Sequence, residues 1–341
     1  MKPVLISNPF GETMNTSKTS FIAFNAGACA LLPATSLLLA LTLVIPSVTH
    51  ASNTAATGKK FATPEAAVAA LRAATSAADT NALSDVLGPS AEDLVNPDRI
   101  QATNEIESFS AALNETNRLD RVSDKLVILE VDNDLWPFPV PIAKADGGWY
   151  FDTDTGKDEL LNRRIGKNEL ETLPVMRAYV DAQREYASID HSGDKVLKYA
   201  QRLVSSPGKE DGLYWPTDLN GRESPLGPLV AYAQAEGYSP ELREDETEVE
   251  RGPYHGYFFK ILKRQSSHAP GGKYDYVING NMIAGFALVA WPAEYGTSGV
   301  MTFIVNQQGA VYQKDLGPKT SKLVSKMDTY DPDSTWTLSP D

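Results

Sequence analysis

The chain has 341 residues, of which 42% are hydrophobic and 22% are charged, and its formal net charge at pH 7 is −13. This composition excludes wholesale disorder, a collagen-like fibre and a multi-span membrane protein, and the acidic balance opposes nucleic acid as a partner because phosphate needs Lys and Arg. The one cysteine, Cys29, lies in the N-terminal segment, so the rest of the chain has neither a disulfide nor a thiolate metal site.

The N-terminal segment has the features of an export signal. No Asp, Glu, Lys or Arg occurs between Lys18 and Lys59, and within this stretch an apolar run covers residues 35–45. A small-residue phrase ending at Ala51 follows the run, which is the order of a signal peptide and its cleavage site. We therefore predict a signal peptide over residues 1–51, cleaved after Ala51.

The same segment predicts the cellular location of the protein and its translation start. The apolar run is shorter than the ~20 residues that span a bilayer, so we expect a periplasmic or secreted protein without a membrane span after signal removal, with an uncleaved anchor as the alternative. Translation starts at Met1 or at Met14, and Met14 gives the more ordinary signal length. A linker over residues 52–60 leads to the folded part.

Residues 61–155 show helix patterns followed by strand patterns. Thr63-Pro64-Glu65 is a helix start, with a hydroxyl cap and proline in the first turn. Two further helices are predicted, over Asn81–Leu87 and from Asn96-Pro97 to Leu113. The predicted strands are Leu126–Leu129, Phe138–Ala143 and Trp149–Phe151. Prolines cannot donate ladder hydrogen bonds, so the middle strand should be irregular or at an edge.

This order of helices and then an antiparallel sheet, ending in a GGW-Y-F strand, resembles the α+β cone of SnoaL and ketosteroid-isomerase-like proteins. The resemblance implies a ligand in the open mouth of the cone. In catalytic members carboxylates or histidines project into that mouth, and we identify no equivalents here.

Residues 156–341 begin with helix patterns and end with strand patterns. Helices are predicted over Lys157–Ile165, over Asn168–Ser188 with a bend or break at Pro174, and after Asp194. A glycine- and proline-rich region follows. The predicted strands are Gly256–Leu262, Phe286–Trp291, Met301–Asn306 and Ala310–Gln313.

A long helix ending in AQ-x-x-YA (182–187), then GFALVAWP (285–292), TSGVMTFIVN (297–306) and QQGAVYQ (307–313), is similar to the soluble headpiece of type IV pilins and pseudopilins. The resemblance implies a helix packed on a small antiparallel sheet whose last hairpin turns at Gly309. Because this helix is internal and lacks a membrane-spanning N-terminal half, only the globular form is implied. The expected fold class is α+β, with two domains over residues 61–155 and 156–341.

Several long phrases resemble, in order, a bacterial exported family catalogued as domain of unknown function 2950. They include GGWYFDTDTGKDELLNRRIGKNEL (147–170), APGGKYDYVINGNMIAGFALVAWPAEYG (269–296) and GVMTFIVNQQGAVYQKDLG (299–317). The resemblance covers nearly all of residues 60–335. It implies an exported, periplasmic setting, and it brings no reaction, ligand or catalytic residue.

The sequence holds no ready-made catalytic or metal motif. His191, His255 and His268 lack the i, i+4 spacing of a zinc helix, and the G-x-S-x-G elbow is missing. We therefore predict no catalytic residues, no metal ligands and no cofactor. His255, in PYHGY, is either a packed turn residue among tyrosines or a proton-transfer group, and we prefer the first interpretation. The acidic residues 241–250 are interpreted as a solvated loop.

The remaining candidates are two arginines at the domain junction and aromatic residues in glycine- and proline-rich loops. Arg163 and Arg164 either grip a carboxylate or sugar, or join the domains through Glu159 and Glu169, and we prefer the second interpretation. Aromatic rings in glycine- and proline-rich loops are typical of a glycan or peptide groove. The predicted binding residues are Trp136, Trp149, Arg163, Arg164, Tyr214, Trp215, Tyr254, His255 and Tyr257.

The sequence thus favours an exported, non-catalytic envelope protein that binds a protein, peptide or glycan through loops at the domain junction. The alternative hypothesis is a periplasmic hydrolase or isomerase whose carboxylates come together only in the fold, with the cone mouth as its pocket.

Overall fold

The computed structural model describes residues 58–145, 147–217, 221–239 and 252–340. The predicted signal peptide, residues 52–57 of the predicted linker and the acidic segment 241–250 lie outside the described residues. Within them the fold is α+β, as predicted, because helices pack on sheets that are antiparallel except for one short parallel pair.

Three capped helices open the described chain. They are α1 (Pro64–Ser76), α2 (Thr80–Leu87) and α3 (Arg99–Glu115), with a 3-10 turn at Pro89–Leu94. The hydroxyl of Thr63 accepts from the backbone N–H of Ala66, which confirms the predicted start of α1. The carboxylates of Asp79 and Asp98 cap α2 and α3 in the same way.

The first sheet follows these helices. Its strands are β1 (Asn117–Ser123), β2 (Leu126–Val131), β3 (Trp136–Pro137), β4 (Ile142–Ala145) and β5 (Gly148–Phe151). The order is β1-β2-β4-β5, and β3 also pairs with β2. The predicted proline-rich strand is irregular, as expected. Prolines interrupt it, so β3 and β4 are short separate strands beside β2.

A single 34-residue helix, α4 (Thr153–Tyr186), joins the two halves. The helices predicted over Lys157–Ile165 and Asn168–Ser188 are one helix, so the predicted separation at Gly166 is wrong. At Pro174, where a bend or a break was predicted, the helix is not divided. Leu173 and Met176 flank the proline and are buried in the second core, and we infer that this packing offsets the hydrogen bond that Pro174 cannot make.

The second half holds the main sheet. Its remaining helices are α5 (Gly227–Ala235) and α6 (Thr320–Ser325), and its strands are β6 (Tyr257–Leu262), β7 (Arg264–Gln265), β8 (Tyr274–Asp275), β9 (Val277–Ile278), β10 (Asn281–Met282), β11 (Ala287–Pro292), β12 (Met301–Asn306), β13 (Tyr312–Asp315), β14 (Thr329–Tyr330) and β15 (Thr337–Leu338). The main sheet has the order β15-β13-β12-β11-β6. These positions confirm the predicted strands at β6, β11 and β12, while β13 begins two residues later than predicted.

The helix predicted after Asp194 is wrong. Residues 196–203 form no helix: they are irregular, and Tyr199 makes an isolated antiparallel bridge with Met282. The buried amide of Gln183 explains the difference, because its oxygen accepts from the N–H of Ala200 and its nitrogen donates to the carbonyl of Ala200. Both backbone groups of Ala200 therefore bond to a side chain of α4 and not to a helical turn.

The buried apolar residues form two separate clusters. The first is drawn from residues 61–151 and the second from residues 173–330. Helix α4 contacts both, through Leu160 in the first cluster and Met176 in the second. Within the described ranges, no helix combines the length and the apolar character needed to cross a bilayer.

Candidate functional site at the junction of the two cores

A cavity of about 600 Å³ lies between α1, α2, α3 and the first half of α4. Its volume is within the range of ligand pockets, roughly 300 to 1,000 Å³. The apolar wall is formed by Leu71, Leu83, Leu87, Phe109, Phe138 and Leu160. Five of these residues lie on the inward faces of four helices, α1 to α4, and Phe138 lies in the loop between β3 and β4. The wall can therefore hold an apolar group.

Positive side chains from α4 line one edge of the cavity, and each has a nearby acid. The Nε of Arg163 donates to Oε1 of Glu159 at 2.7 Å, and its guanidinium lies 4.7 Å from the ring centre of Trp136. Lys167 lies 3.9 Å from Oε1 of Glu171. The edge is therefore polar but largely compensated in charge.

Arg164 has a structural role in addition to lining the cavity. Its Nη2 donates to the carbonyl of Leu94 at 2.8 Å, and its Nε lies 4.0 Å from Oε2 of Glu105. Burial lowers the pKa of Arg164, and the charge of Glu105 opposes this effect. Arg164 thus ties α4 to the end of the 3-10 turn.

His255 lies at the far end of the cavity, between two carboxylates. Its Nε2 is 2.9 Å from Oε2 of Glu236, and its Nδ1 is 2.6 Å from Oε2 of Glu171, the second contact being an ion pair without hydrogen-bond alignment. Burial by itself lowers the pKa of His255, but the two glutamates outweigh burial and raise it. Because both ring nitrogens face carboxylates, neither is available as a general base to a ligand in the cavity.

Beside His255, a network of buried polar groups joins the two cores. Oδ2 of Asp98 accepts from the Tyr238 hydroxyl at 2.7 Å and from the Gly256 backbone N–H at 3.1 Å. Burial, followed by the hydrogen bond to Asp98, raises the pKa of Tyr238, so its hydroxyl stays protonated. The network holds α3 against two segments: the one that follows α5, through Tyr238, and the one that precedes β6, through Gly256.

The same network extends to α4. The amide of Asn168, which is fully buried, accepts from Nε2 of Gln101 at 2.6 Å and donates to the carbonyl of Ser298 at 2.8 Å. A buried amide with both ends satisfied fixes the geometry of the groups around it. Gln101, which lines the cavity, is therefore held in place by a buried partner on α4.

The structure brings together five of the nine predicted binding residues. Trp136, Arg163, Arg164 and His255 line the cavity, and the ring of Tyr254 lies 4.2 Å from that of His255. The other four do not belong to this site. Tyr214 packs against the second core. The other three are buried, with exposed fractions of 5% for Trp149, 1% for Trp215 and 0% for Tyr257.

The burial of these three residues corrects the expectation that their rings line a groove. Trp149 lies in β5 and Tyr257 in β6, where their side chains face the cores, and Trp215 is buried from a loop.

The preferred role of the arginines also needs correction. Glu169 accepts from the backbone N–H groups of Val300 and Met301 and not from an arginine. Arg163 pairs with Glu159 one turn away on its own helix. Helix α4 is thus attached to β12 through Glu169.

Sequence reasoning missed Asp98, Tyr238, Asn168 and Glu236 as junction residues. Only Asp98 carried a local signal, as an acid at a predicted helix start, and that signal indicates a cap and not a contact to a distant tyrosine. Among the described residues there is no group of three or more His, Cys, Asp or Glu side chains able to hold a metal ion.

Comparison with known proteins identifies one family model. It is described as a protein of unknown function, DUF2950, and it matches residues 58–338. Neither the curated proteins nor the solved structures give a match.

Proposed function

We propose that this chain, which belongs to the DUF2950 family of proteins of unknown function, is an exported, non-catalytic envelope protein. Its partner is a protein or peptide, bound at the junction of the two cores. The observation that carries the proposal is the cavity of about 600 Å³ with an apolar wall and a charge-compensated edge.

A peptide matches this cavity better than a glycan does. An apolar side chain entering it gains about 25 cal/mol for each Å² removed from water, whereas sugar hydroxyls gain nothing from the apolar wall and lose hydrogen bonds to water. The paired charges at Arg163 and Lys167 leave no strong net charge, which suits the uncharged backbone on either side of the inserted side chain.

The finer fold and location assignments are part of the same proposal. A cone-like first half is supported by the packing of α1 to α3 beside the sheet β1-β2-β4-β5, with the cavity at the helices. A pilin-like second half is supported by α4 beside the sheet and by the turn at Gly309 between β12 and β13. Export to the periplasm is supported by the signal-like pattern of residues 1–51.

The test is calorimetric titration of the purified exported protein with the blocked peptides acetyl-Gly-X-Gly-amide, where X is Ala, Leu or Phe. We expect affinity to rise in that order, by about tenfold or more from Ala to Phe, because a larger apolar surface is buried. Equal affinity for all three peptides, or no binding, contradicts the proposal.

A hydrolase or isomerase is the second candidate, since the carboxylate of Glu236 lines the cavity next to His255. Against it, the ion pairs of His255 occupy both ring nitrogens. Turnover of an ester, amide or glycoside panel that is abolished by Glu236→Gln, with peptide binding retained, would establish catalysis in place of simple binding.

A further inference from the structure

A second pocket, of about 640 Å³, lies at the C-terminal end of α4. It is distinct from the junction cavity and shares no residue with it. The end of α4 and the following turn form one side, residues 208–211 form another, and Gly280 and Asn281 of the β9–β10 turn form the third. The side chains here are mainly charged groups and amides, in contrast to the apolar wall of the first cavity.

The base of this pocket is a fixed, buried cluster. The imidazole of His191 is 3% exposed and stacks on the ring of Tyr186, with the ring centres 4.1 Å apart. Its Nδ1 lies 2.9 Å from Oε2 of Glu210, a side chain that is 10% exposed. Nη1 of Arg222 lies 3.5 Å from the same oxygen. Glu210 therefore orients both His191 and Arg222.

The acids of the pocket are already engaged by the chain itself. Oδ1 of Asp190 accepts from the backbone N–H of Ser192 and of Gly193, and Oδ2 accepts from that of Lys195. Asp211 accepts from both the N–H and the hydroxyl of Ser206. With Glu210 held as described, few acceptors remain for a ligand.

Donors, in contrast, remain available. Arg222 uses one terminal nitrogen on Glu210, and its side chain is 50% exposed. The Lys209 ammonium has no ion pair within the described part of the chain, and both residues line the pocket. A guanidinium presents a planar fork that matches a carboxylate. The lining holds three acidic side chains (Asp190, Glu210 and Asp211) and three basic ones (Lys198, Lys209 and Arg222), so its formal charges balance. Recognition of an anion here therefore depends on hydrogen bonds from Arg222 and Lys209 and not on a net positive field.

Amide groups supply the second half of the recognition. Gln201 and Asn281 line the same pocket. Nε2 of Gln201 donates to the carbonyl of Gly280 at 2.8 Å, and Oδ1 of Asn281 accepts from Nζ of Lys198 at 3.0 Å. The Gln201 oxygen and the Asn281 nitrogen make no hydrogen bond within the described residues, so together they offer one acceptor and one donor group to a hydroxyl. We infer that this pocket binds a small hydroxylated carboxylate, of the acidic-sugar class, with its carboxylate at Arg222 and Lys209 and its hydroxyls at the amides. This site lies beyond the peptide-binding function proposed above and does not depend on it.

The test is titration of the exported protein with three probes, followed by calorimetry and by tryptophan fluorescence. Glucuronate carries both the carboxylate and the hydroxyls, glucose carries only the hydroxyls, and acetate carries only the charge. We expect glucuronate to bind at least tenfold more tightly than glucose and than acetate. Trp215 is a suitable reporter because its ring lies 5.3 Å from that of His191.

Matched variants locate the binding. Arg222→Gln and Lys209→Gln should each weaken glucuronate binding at least fivefold, while Lys326→Gln, an exposed lysine outside the pocket, should not change it. Glucose binding as tightly as glucuronate would overturn anion recognition, and acetate binding as tightly would overturn hydroxyl recognition. No binding of any probe, or binding unaffected by both pocket variants, would overturn the site itself.

Discussion

The hydroxyl of Tyr238 donates a hydrogen bond of 2.7 Å to Oδ2 of Asp98. Asp98 is also the N-cap of α3, so one buried carboxylate holds a helix of the first core and a segment that follows α5. The backbone N–H of His255 lies 3.3 Å from the same hydroxyl. The far end of the cavity therefore depends on a tyrosine that the sequence pattern did not single out.

Tyr238→Phe should destabilise the protein by about 1 to 3 kcal/mol, because a buried carboxylate loses a donor that nothing replaces. The free energy of unfolding in urea measures this. Tyr150→Phe is the matched control, since the Tyr150 hydroxyl makes no hydrogen bond in the described residues, and it should cost less. Equal effects of the two variants would show that the hydrogen bond to Asp98 contributes little.

Two glycines of α4 should respond in opposite directions. A Cβ on Gly156 would lie 2.5 Å from the carbonyl oxygen of Pro139, whereas a Cβ on Gly166 would meet nothing within 4 Å. Gly156→Ala should therefore destabilise the protein by roughly 1 to 3 kcal/mol through overpacking. Gly166→Ala should stabilise it by roughly 0.5 to 1 kcal/mol, because alanine loses less backbone entropy in a helix.

Thermal or urea unfolding of the two variants tests both statements. If Gly156→Ala is neutral, α4 does not approach Pro139 as closely as the structure has it. If Gly166→Ala is destabilising, the helix is not continuous through that position.

The pH dependence of stability should carry a contribution from His255. The two glutamates raise its folded-state pKa above the ordinary value of about 6.5. The contribution is therefore fully present below about pH 6.5 and is lost as the pH rises through the folded-state pKa. The difference in unfolding free energy between wild type and His255→Gln should be largest in acid and should shrink above neutral pH.

Urea unfolding at several pH values measures this difference. His268→Gln is the control, because the pKa of His268 is also raised, by Asp331, but its side chain is exposed and its ion pair is screened by solvent. If the difference in unfolding free energy between wild type and His255→Gln grows with rising pH, the folded-state pKa of His255 is not raised.

Export and cleavage are predicted from the N-terminal pattern. Mass spectrometry of the protein recovered from a periplasmic fraction should give Ser52 as the first residue, following removal of residues 1–51. Recovery of the intact N-terminus from the cytosol would contradict the predicted signal peptide.

Local sequence signals predicted the local structure well. The cap at Thr63 and the strands at β6, β11 and β12 follow from residue types within a few positions. The failures come from distant contacts. The segment around Ala200 is not helical, because Gln183, 17 residues earlier, bonds to both backbone groups of Ala200. Periodicity carries no information about such a bond.

The candidate site was predictable only in part. Arg163 was selected at the domain junction, Trp136 as an aromatic residue in a loop and His255 as a histidine among tyrosines. All three line the cavity. Trp149 and Trp215 were selected by the same criterion and are buried in the cores. Aromatic residues in glycine-rich loops serve either role, and only the packed structure distinguishes a ring in a core from a ring at a rim.

The proposed peptide binding depends on the apolar cavity, so a side chain that fills the cavity should abolish that binding. Leu160→Trp adds an indole at the cavity wall, whereas Leu170→Trp adds the same group at an exposed position of the same helix. Affinity for acetyl-Gly-Phe-Gly-amide should fall at least tenfold in Leu160→Trp and remain unchanged in Leu170→Trp, with both variants folded by circular dichroism. Unchanged affinity in folded Leu160→Trp would contradict the assignment of this cavity as the binding site.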